Sequence, residues 1–198
     1  MKMLKNTARS LILFKCRLLN QPDRPAIQAV YRLLSPPLVG IEVGVYRGDH
    51  ALNILETVKG IKRLFLIDPY LYDSPADRYP TVIQHPQTNL DEAKKIAYKR
   101  LAPYGDVICF LYSPFSRELS FPRKVDFIYI DGDHSYPSMC SDIKTSLELI
   151  RDGGIIGGHD YGLPSVRKAV DEFFPDAHKW RNDWWIQYQT HSHLEALP

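Results

Sequence analysis

Apolar residues along the chain fall into short runs of strand length, separated by longer stretches with helical spacing. Five runs are predicted as buried strands: Leu38 to Val45, Arg63 to Ile67, Asp106 to Tyr112, Val125 to Ile130 and Gly154 to Gly158. They are near-continuous rather than alternating, the pattern of strands covered on both faces. Between and after them, Asp49–Val58, Asn89–Leu101, Pro137–Arg151 and Ser165–Phe173 are predicted helices. Thr88 or Asn89 is the expected N-cap of the second of these, and Gly153 the stop signal of the third. Upstream, Met1 to Asn20 forms a basic helical pattern broken at Gln21-Pro-Asp-Arg-Pro25. Ala26 to Leu34 follows as a short helix, ended by Ser35-Pro36-Pro37, because proline lacks an N–H and fixes φ. Ala177–Trp180 and Trp184–Thr190 flank Arg181-Asn-Asp183 as a closing hairpin. The sum is an α/β, Rossmann-like, open and mostly parallel sheet with helices on both faces and a C-terminal antiparallel hairpin. Residues 1–37 are the expected N-terminal helical extension, 38–190 the main domain and 191–198 a tail.

The chain is organised around Val125 to Tyr161. Two apolar runs stop there at ionisable groups, the first at Asp131, Asp133 and His134, the second at His159 and Asp160. Burial of an apolar strand disfavours charge inside it, so these groups are expected where the strands emerge. A helix-length crossover joins the two runs, which makes them neighbouring parallel strands. Such strands lie roughly 4.8 Å apart. Side chains from both ends can then reach one cation or one substrate, at the sheet edge where open α/β folds bind ligands. A solvated strand-end acid cluster is the plainer reading of the same spacing.

Leu38–Val45 opens into Gly44-Val-Tyr-Arg-Gly48 and a helix. Glycine lets a backbone approach a ligand and adopt positive φ, and a helix N-terminus favours a negative group. Asp68 ends the second strand, about 20 residues on, where an acid suits ribose hydroxyls. A strand-end cap before Pro69 is the alternative. Pro69 to Thr88 is a long loop rich in Tyr, Pro and Asp, read as a lid or substrate loop. His85 within it is read as a loop histidine, and His191 and His193 as part of the tail.

With 198 residues the chain suffices for one well-buried domain and is short for two. A net charge of +2 implies no polyanionic partner, so no nucleic acid is expected. Cys16, Cys109 and Cys140 lie far apart, with no pair at metal-site spacing; Cys109 and Cys140 are read as buried spectator thiols, and a reducing, cytoplasmic compartment is expected. No apolar run approaches the ~20 residues that span a bilayer, so stable membrane insertion is not expected. The basic N-terminal pattern suits a capping helix or a homodimer interface, with contact to anionic lipid as the other reading.

Strand–Glu-x-Gly-x-x-x-Gly–helix, then strand–Asp, then a final hairpin, resembles the class I S-adenosylmethionine-dependent methyltransferases over residues 38–190. Gly40-Ile-Glu-Val-Gly-Val-Tyr-Arg-Gly48, Ile130-Asp-Gly-Asp-His-Ser-Tyr136 and Gly158-His-Asp-Tyr161 resemble the macrocin-type and sugar O-methyltransferase branch, with catechol O-methyltransferases more distant. The resemblance implies that Glu42, Gly44, Tyr46 and Gly48 surround the methionine part of S-adenosylmethionine. It places Asp68 on the ribose and Ser113 at the adenine, with Asp131 beside the cofactor. It implies a divalent metal, Mg²⁺ or Mn²⁺, on Asp131, His159 and Asp160, and a base at Asp133, with His134 as the second candidate. Relatives carry Asp-Asp or Asp-Asn where this chain has His159-Asp160. Imidazole suits Mn, Fe, Ni or Zn better than Mg²⁺. Either the metal is not Mg²⁺, or His159 is not a ligand, or no metal binds and His159 forms a hydrogen bond instead.

The expected activity is metal-assisted O-methylation of a small hydroxylated molecule or glycan. A nicotinamide-dependent oxidoreductase shares the strand–turn–helix, but its fingerprint is Gly-x-Gly-x-x-Gly. Glu42 stands at the first glycine, where its carboxylate would repel pyrophosphate and suit an amino group. A non-catalytic binding module on the same scaffold is the third reading.

Overall fold

The computed structural model describes residues 22–71, 86–121 and 124–190. The N-terminal basic pattern, Cys16, His85 with most of the Tyr-rich loop, and the tail fall outside them. In chain order the elements are α1 (Pro25–Leu33), β1 (Leu38–Val43), α2 (Asp49–Thr57), β2 (Ile61–Ile67), α3 (Gln87–Leu101), β3 (Ile108–Leu111), β4 (Val125–Ile130), α4 (Tyr136–Leu149), β5 (Ile150–Gly158), α5 (Pro164–Phe173), β6 (His178–Trp180) and β7 (Asp183–Gln187). The seven strands lie in the order β3-β2-β1-β4-β5-β7-β6. Pairing is parallel from β3 through β5 and antiparallel at β7 and β6. The expected α/β architecture is therefore the observed one.

The sheet separates two apolar layers. Ile41, Val43, Phe65, Ile67, Ile128 and Ile130 face one side with Ile143, Val166 and Phe174. Leu64, Leu66, Phe127 and Tyr129 face the other with Ile27, Ala51, Ile54, Ala97 and Leu101. Every residue of β1 and β4 is buried, so strand ends, not faces, are open to ligands. Gly40 makes room for the Phe127 ring, whose nearest carbon would lie 2.1 Å from an added Cβ.

Asp126 departs from the expectation that ionisable groups stay out of buried strands. It lies inside β4, 4% exposed. Its Oδ2 accepts from the Val39 N–H at 2.7 Å, and its Oδ1 accepts from Arg151 Nε at 2.6 Å. The carboxylate is tolerated because both oxygens are hydrogen-bonded, one of them to a cation. It sits where the β4–β5 register shifts, between Val125 and Phe127. Asp126→Ala is expected to cost roughly 2–3 kcal/mol, the scale for orphaning a buried N–H and a charged partner. Urea denaturation measures this; a loss below about 0.5 kcal/mol, the surface-substitution range, would contradict it.

Gly153 is a correction. It does not end a helix: α4 stops at Leu149, and Ile150 already pairs with Val125 in β5. Phe127 pairs with Ile155, so residues 151–154 bulge between these two pairs. Gly153, at φ 71°, serves that bulge. The N-cap position of α3 is Pro86, not Thr88 or Asn89. Cys109 and Cys140 are free and half-buried, less enclosed than the sequence suggested.

Candidate functional site

The carboxyl ends of β1, β2, β4 and β5 bring the predicted residues to one edge of the sheet. The turn after β1 is built by its neighbours. Gly44 takes φ 84°, and a Cβ there would meet the Asp131 carbonyl oxygen at 2.1 Å. Tyr46 holds φ 48° and Gly48 φ 73°. Asp68 braces this shape: its Oδ2 accepts from the N–H groups of Val45 at 2.9 Å and Tyr46 at 2.8 Å, and its Oδ1 from Tyr70 N–H at 2.8 Å. The Tyr70 hydroxyl donates to the Tyr46 carbonyl at 2.8 Å. A carboxylate has about four acceptor positions, so Asp68 retains roughly one for a ligand.

Glu42 is 1% exposed. Its Oε1 lies 2.9 Å from Nδ1 of His50, while its Oε2 is buried without a partner among the described residues. Burial raises its pKa, the His50 hydrogen bond and charge oppose that, and Asp131 and Asp68 add to it. The Ser113 hydroxyl, past the end of β3, is a second buried orphan. Buried polar atoms are ordinarily paired, which makes both oxygens candidates for a ligand contact.

The second half of the edge differs from the sequence expectation in its histidines. Asp131, His134 and Asp160 each offer a ligand atom within 4.8 Å of the others. His134 Nε2 lies 2.9 Å from Asp160 Oδ2 and 3.6 Å from Asp131 Oδ1. Burial opposes the imidazolium, but hydrogen bonds and charge from Asp131 and Asp160 outweigh it and raise His134 to about 9. The His134 hydrogen bond lowers the Asp160 pKa, with burial opposing.

His159 stands apart from this group. Its Nδ1 lies 2.6 Å from Oδ1 of the buried Asp183, and its ring contacts Arg24 and Asn182. The nearest approach of Nε2 to Asp160 is 3.7 Å. His159 is hydrogen-bonded in this structure and lies outside the Asp131–His134–Asp160 group. Asp133 is also engaged elsewhere. Exposed at the start of α4, it accepts from Ser135 N–H at 2.9 Å and from the Ser138 hydroxyl at 2.7 Å. Those bonds hold the carboxylate against Ser135, whose own hydroxyl caps α4 by accepting from the Ser138 N–H.

Three residues of this edge carried no sequence signal. Arg24 lies 3.9 Å from Asp131 and 3.7 Å from Asp183, but reads as part of a proline-flanked helix breaker. Asp183 reads as a turn residue, yet it is 1% exposed and also accepts from Ala26 N–H at 3.2 Å. His50 reads as a surface residue of the first helical turn. Only the fold brings each to its partners.

A family model described as a methyltransferase domain matches residues 41–161. An uncharacterized protein of Acanthamoeba polyphaga mimivirus is 24% identical over 147 residues, 70% of this chain and 60% of that protein. The chain thus spans less than two thirds of that curated relative. Among solved structures, the O-methyltransferase NovP is 16% identical with a TM-score of 0.63, covering 83% of this chain and 76% of its own. The Bacillus cereus O-methyltransferase in complex with SAH is 13% identical, TM-score 0.55, covering 92% and 91%. An rRNA methylase from Streptococcus thermophilus is 10% identical, TM-score 0.58, covering 86% and 98%. Likeness at these identities establishes the fold and does not choose among acceptors. Among the described residues no helix is long and apolar enough to cross a membrane.

Proposed function

Because this chain belongs to the methyltransferase-domain family, we propose that it methylates a hydroxyl of a small molecule or glycan with S-adenosylmethionine, assisted by a divalent cation. The observation that carries this reading is the Asp131–His134–Asp160 group beside the glycine turn. The two are joined: Asp131 N–H donates to the Val43 carbonyl at 2.7 Å, and the Asp131 carbonyl fills the space a Gly44 side chain would need.

The orphaned oxygens fit the cofactor. Glu42 Oε2 receives its ammonium group, Asp68 takes a ribose hydroxyl and Ser113 an adenine atom. Gly44, Tyr46 and Gly48 shape the turn around the methionine part. Asp131 and Asp160 supply the hard oxygen donors a divalent cation needs. Either Mg²⁺ or Mn²⁺ suits this carboxylate pair, and the imidazole of His134, within 4.8 Å of it, is left to accept a proton. When bound, the cofactor supplies a methyl group on a positively charged sulfur, and the cation lowers the pKa of a hydroxyl that touches it.

The chain's own part is alignment and proton transfer. Of the two sequence-derived bases, Asp133 is hydrogen-bonded to Ser135 and Ser138. His134 Nε2 is the nitrogen that faces both carboxylates and takes the acceptor's proton. The carboxylates that now hold His134 protonated would be shared with the cation. His159 is held by Asp183, and Asn182 donates to Asp160 Oδ1 at 2.7 Å.

The test is methyl transfer from labelled S-adenosylmethionine to catechols, sugars and bulk RNA, with Mn²⁺ or with chelator. Label is expected on a vicinal diol or catechol with Mn²⁺ and not in chelator. Label on RNA alone would overturn the small-molecule reading. A thermal shift with NADH and none with S-adenosylhomocysteine would return the oxidoreductase reading, and a shift with neither would favour a binding module.

A further inference from the structure

The cofactor turn holds a buried His50–Glu42 hydrogen bond that the mechanism above uses only in part. His50 lies in the first turn of α2, and its side chain is 12% exposed. Its Nδ1 is spent on Glu42 Oε1 at 2.9 Å. Its ring packs on Tyr129 with centroids 4.2 Å apart. Nε2 is buried with no partner among the described residues, as is Oε2 of Glu42. In the charged pair, one orphan is a donor and the other an acceptor.

We propose that His50 is a positioning residue for the cofactor: it keeps Glu42 charged and turned, so that Oε2 can receive the cofactor's ammonium group. This rests on the S-adenosylmethionine reading above and extends it to a residue outside the glycine motif.

The neighbours explain why Glu42 needs such help. Burial disfavours its charge, and Asp131 at the end of β4 and Asp68 at the end of β2 repel it. Tyr129, on β4, and Tyr70, after β2, are kept neutral mainly by burial, with the charge of Glu42 adding to it. His50 opposes these effects from α2, by a hydrogen bond and by charge. A carboxyl group with a raised pKa is charged at high pH and neutral as pH falls. Without His50, Glu42 becomes neutral at a higher pH and presents a neutral acid to a cation.

The experiment is calorimetric titration with S-adenosylhomocysteine from pH 6 to pH 9. It compares the wild-type protein with His50→Ala, His50→Asn and Glu42→Gln. His50→Ala is expected to weaken binding about tenfold at pH 7, the scale of losing one hydrogen bond to a charged group, with the gap closing toward pH 9. His50→Asn keeps a donor without the charge and guards against a folding defect in the alanine variant. It is expected to match wild type at pH 9 and fall about tenfold behind by pH 6. Glu42→Gln should bind weakly with no such slope. A constant ratio of wild-type to His50→Asn affinity across the range overturns the proposal. Absence of binding by the wild-type protein overturns the cofactor reading itself, and this proposal with it.

Discussion

Asp131→Asn is expected to lower Mn²⁺-dependent methyl transfer at least ~100-fold, the scale of losing a few kcal/mol of charge stabilisation at the reacting oxygen. The affinity for S-adenosylhomocysteine is expected to stay within about threefold, since a partly exposed charge pair contributes little. The substitution is close to isosteric, so its effect isolates charge. The backbone contacts that join Asp131 to the turn survive, because its N–H still reaches the Val43 carbonyl and its own carbonyl still packs on Gly44. What is lost is one anionic oxygen donor and the 3.9 Å ion pair with Arg24, whose partners are 24% and 21% exposed. Initial rates across a Mn²⁺ titration, with binding measured in parallel, separate the two effects. Full activity in chelator, with Asp131→Asn unimpaired, would remove the cation from the mechanism.

That contrast depends on where charge sits in the fold, and the sequence carries such information unevenly. The buried strands and the sheet edge were legible because continuous apolar runs must be covered on both faces. The Asp131 and Asp160 positions were legible for the same reason, as the places where two such runs stop. Histidine roles were not. His134 and His159 both follow strand ends, and the sequence does not separate a side chain that turns toward Asp160 from one that turns toward Asp183. The choice is made by β7, which brings buried Asp183 to 2.6 Å from His159. Asp133 was similarly opaque: its bonds to Ser135 and Ser138 follow from the angle at which α4 starts. The rule that buried strands exclude ionisable groups held for the apolar stretches and failed at Glu42 and Asp126. Both are tolerated through partners on other elements, His50 on α2 and Arg151 on β5.

Gly44→Ala is expected to destabilise the protein by roughly 2–5 kcal/mol, combining left-handed backbone cost with overpacking. The glycine motif was read as a place where backbone approaches a ligand. The structure adds a reason internal to the chain. At φ 84° an alanine is strained whatever the space, and its Cβ would lie 2.1 Å from the Asp131 carbonyl oxygen and 2.7 Å from Gly132 Cα. These are backbone atoms, so no side-chain rotation relieves the clash. The Asp131 loop or the turn must move, and either shift separates the cofactor residues from the cation residues. The melting temperature is therefore expected to fall by roughly 10 °C, at the usual 2–4 °C per kcal/mol for a domain of this size. Cofactor affinity should be lost in the fraction that remains folded. Gly105→Ala is the control: its Cβ would meet only the Ala102 carbonyl, at 3.5 Å, and its φ of −50° is open to alanine. There the substitution should be neutral or slightly stabilising, because it restricts the unfolded chain. Equal melting temperatures for the two variants would mean that the turn and the Asp131 loop are not mechanically joined. A Gly44→Ala protein that melts low and still binds S-adenosylhomocysteine tightly would place the cofactor away from this turn.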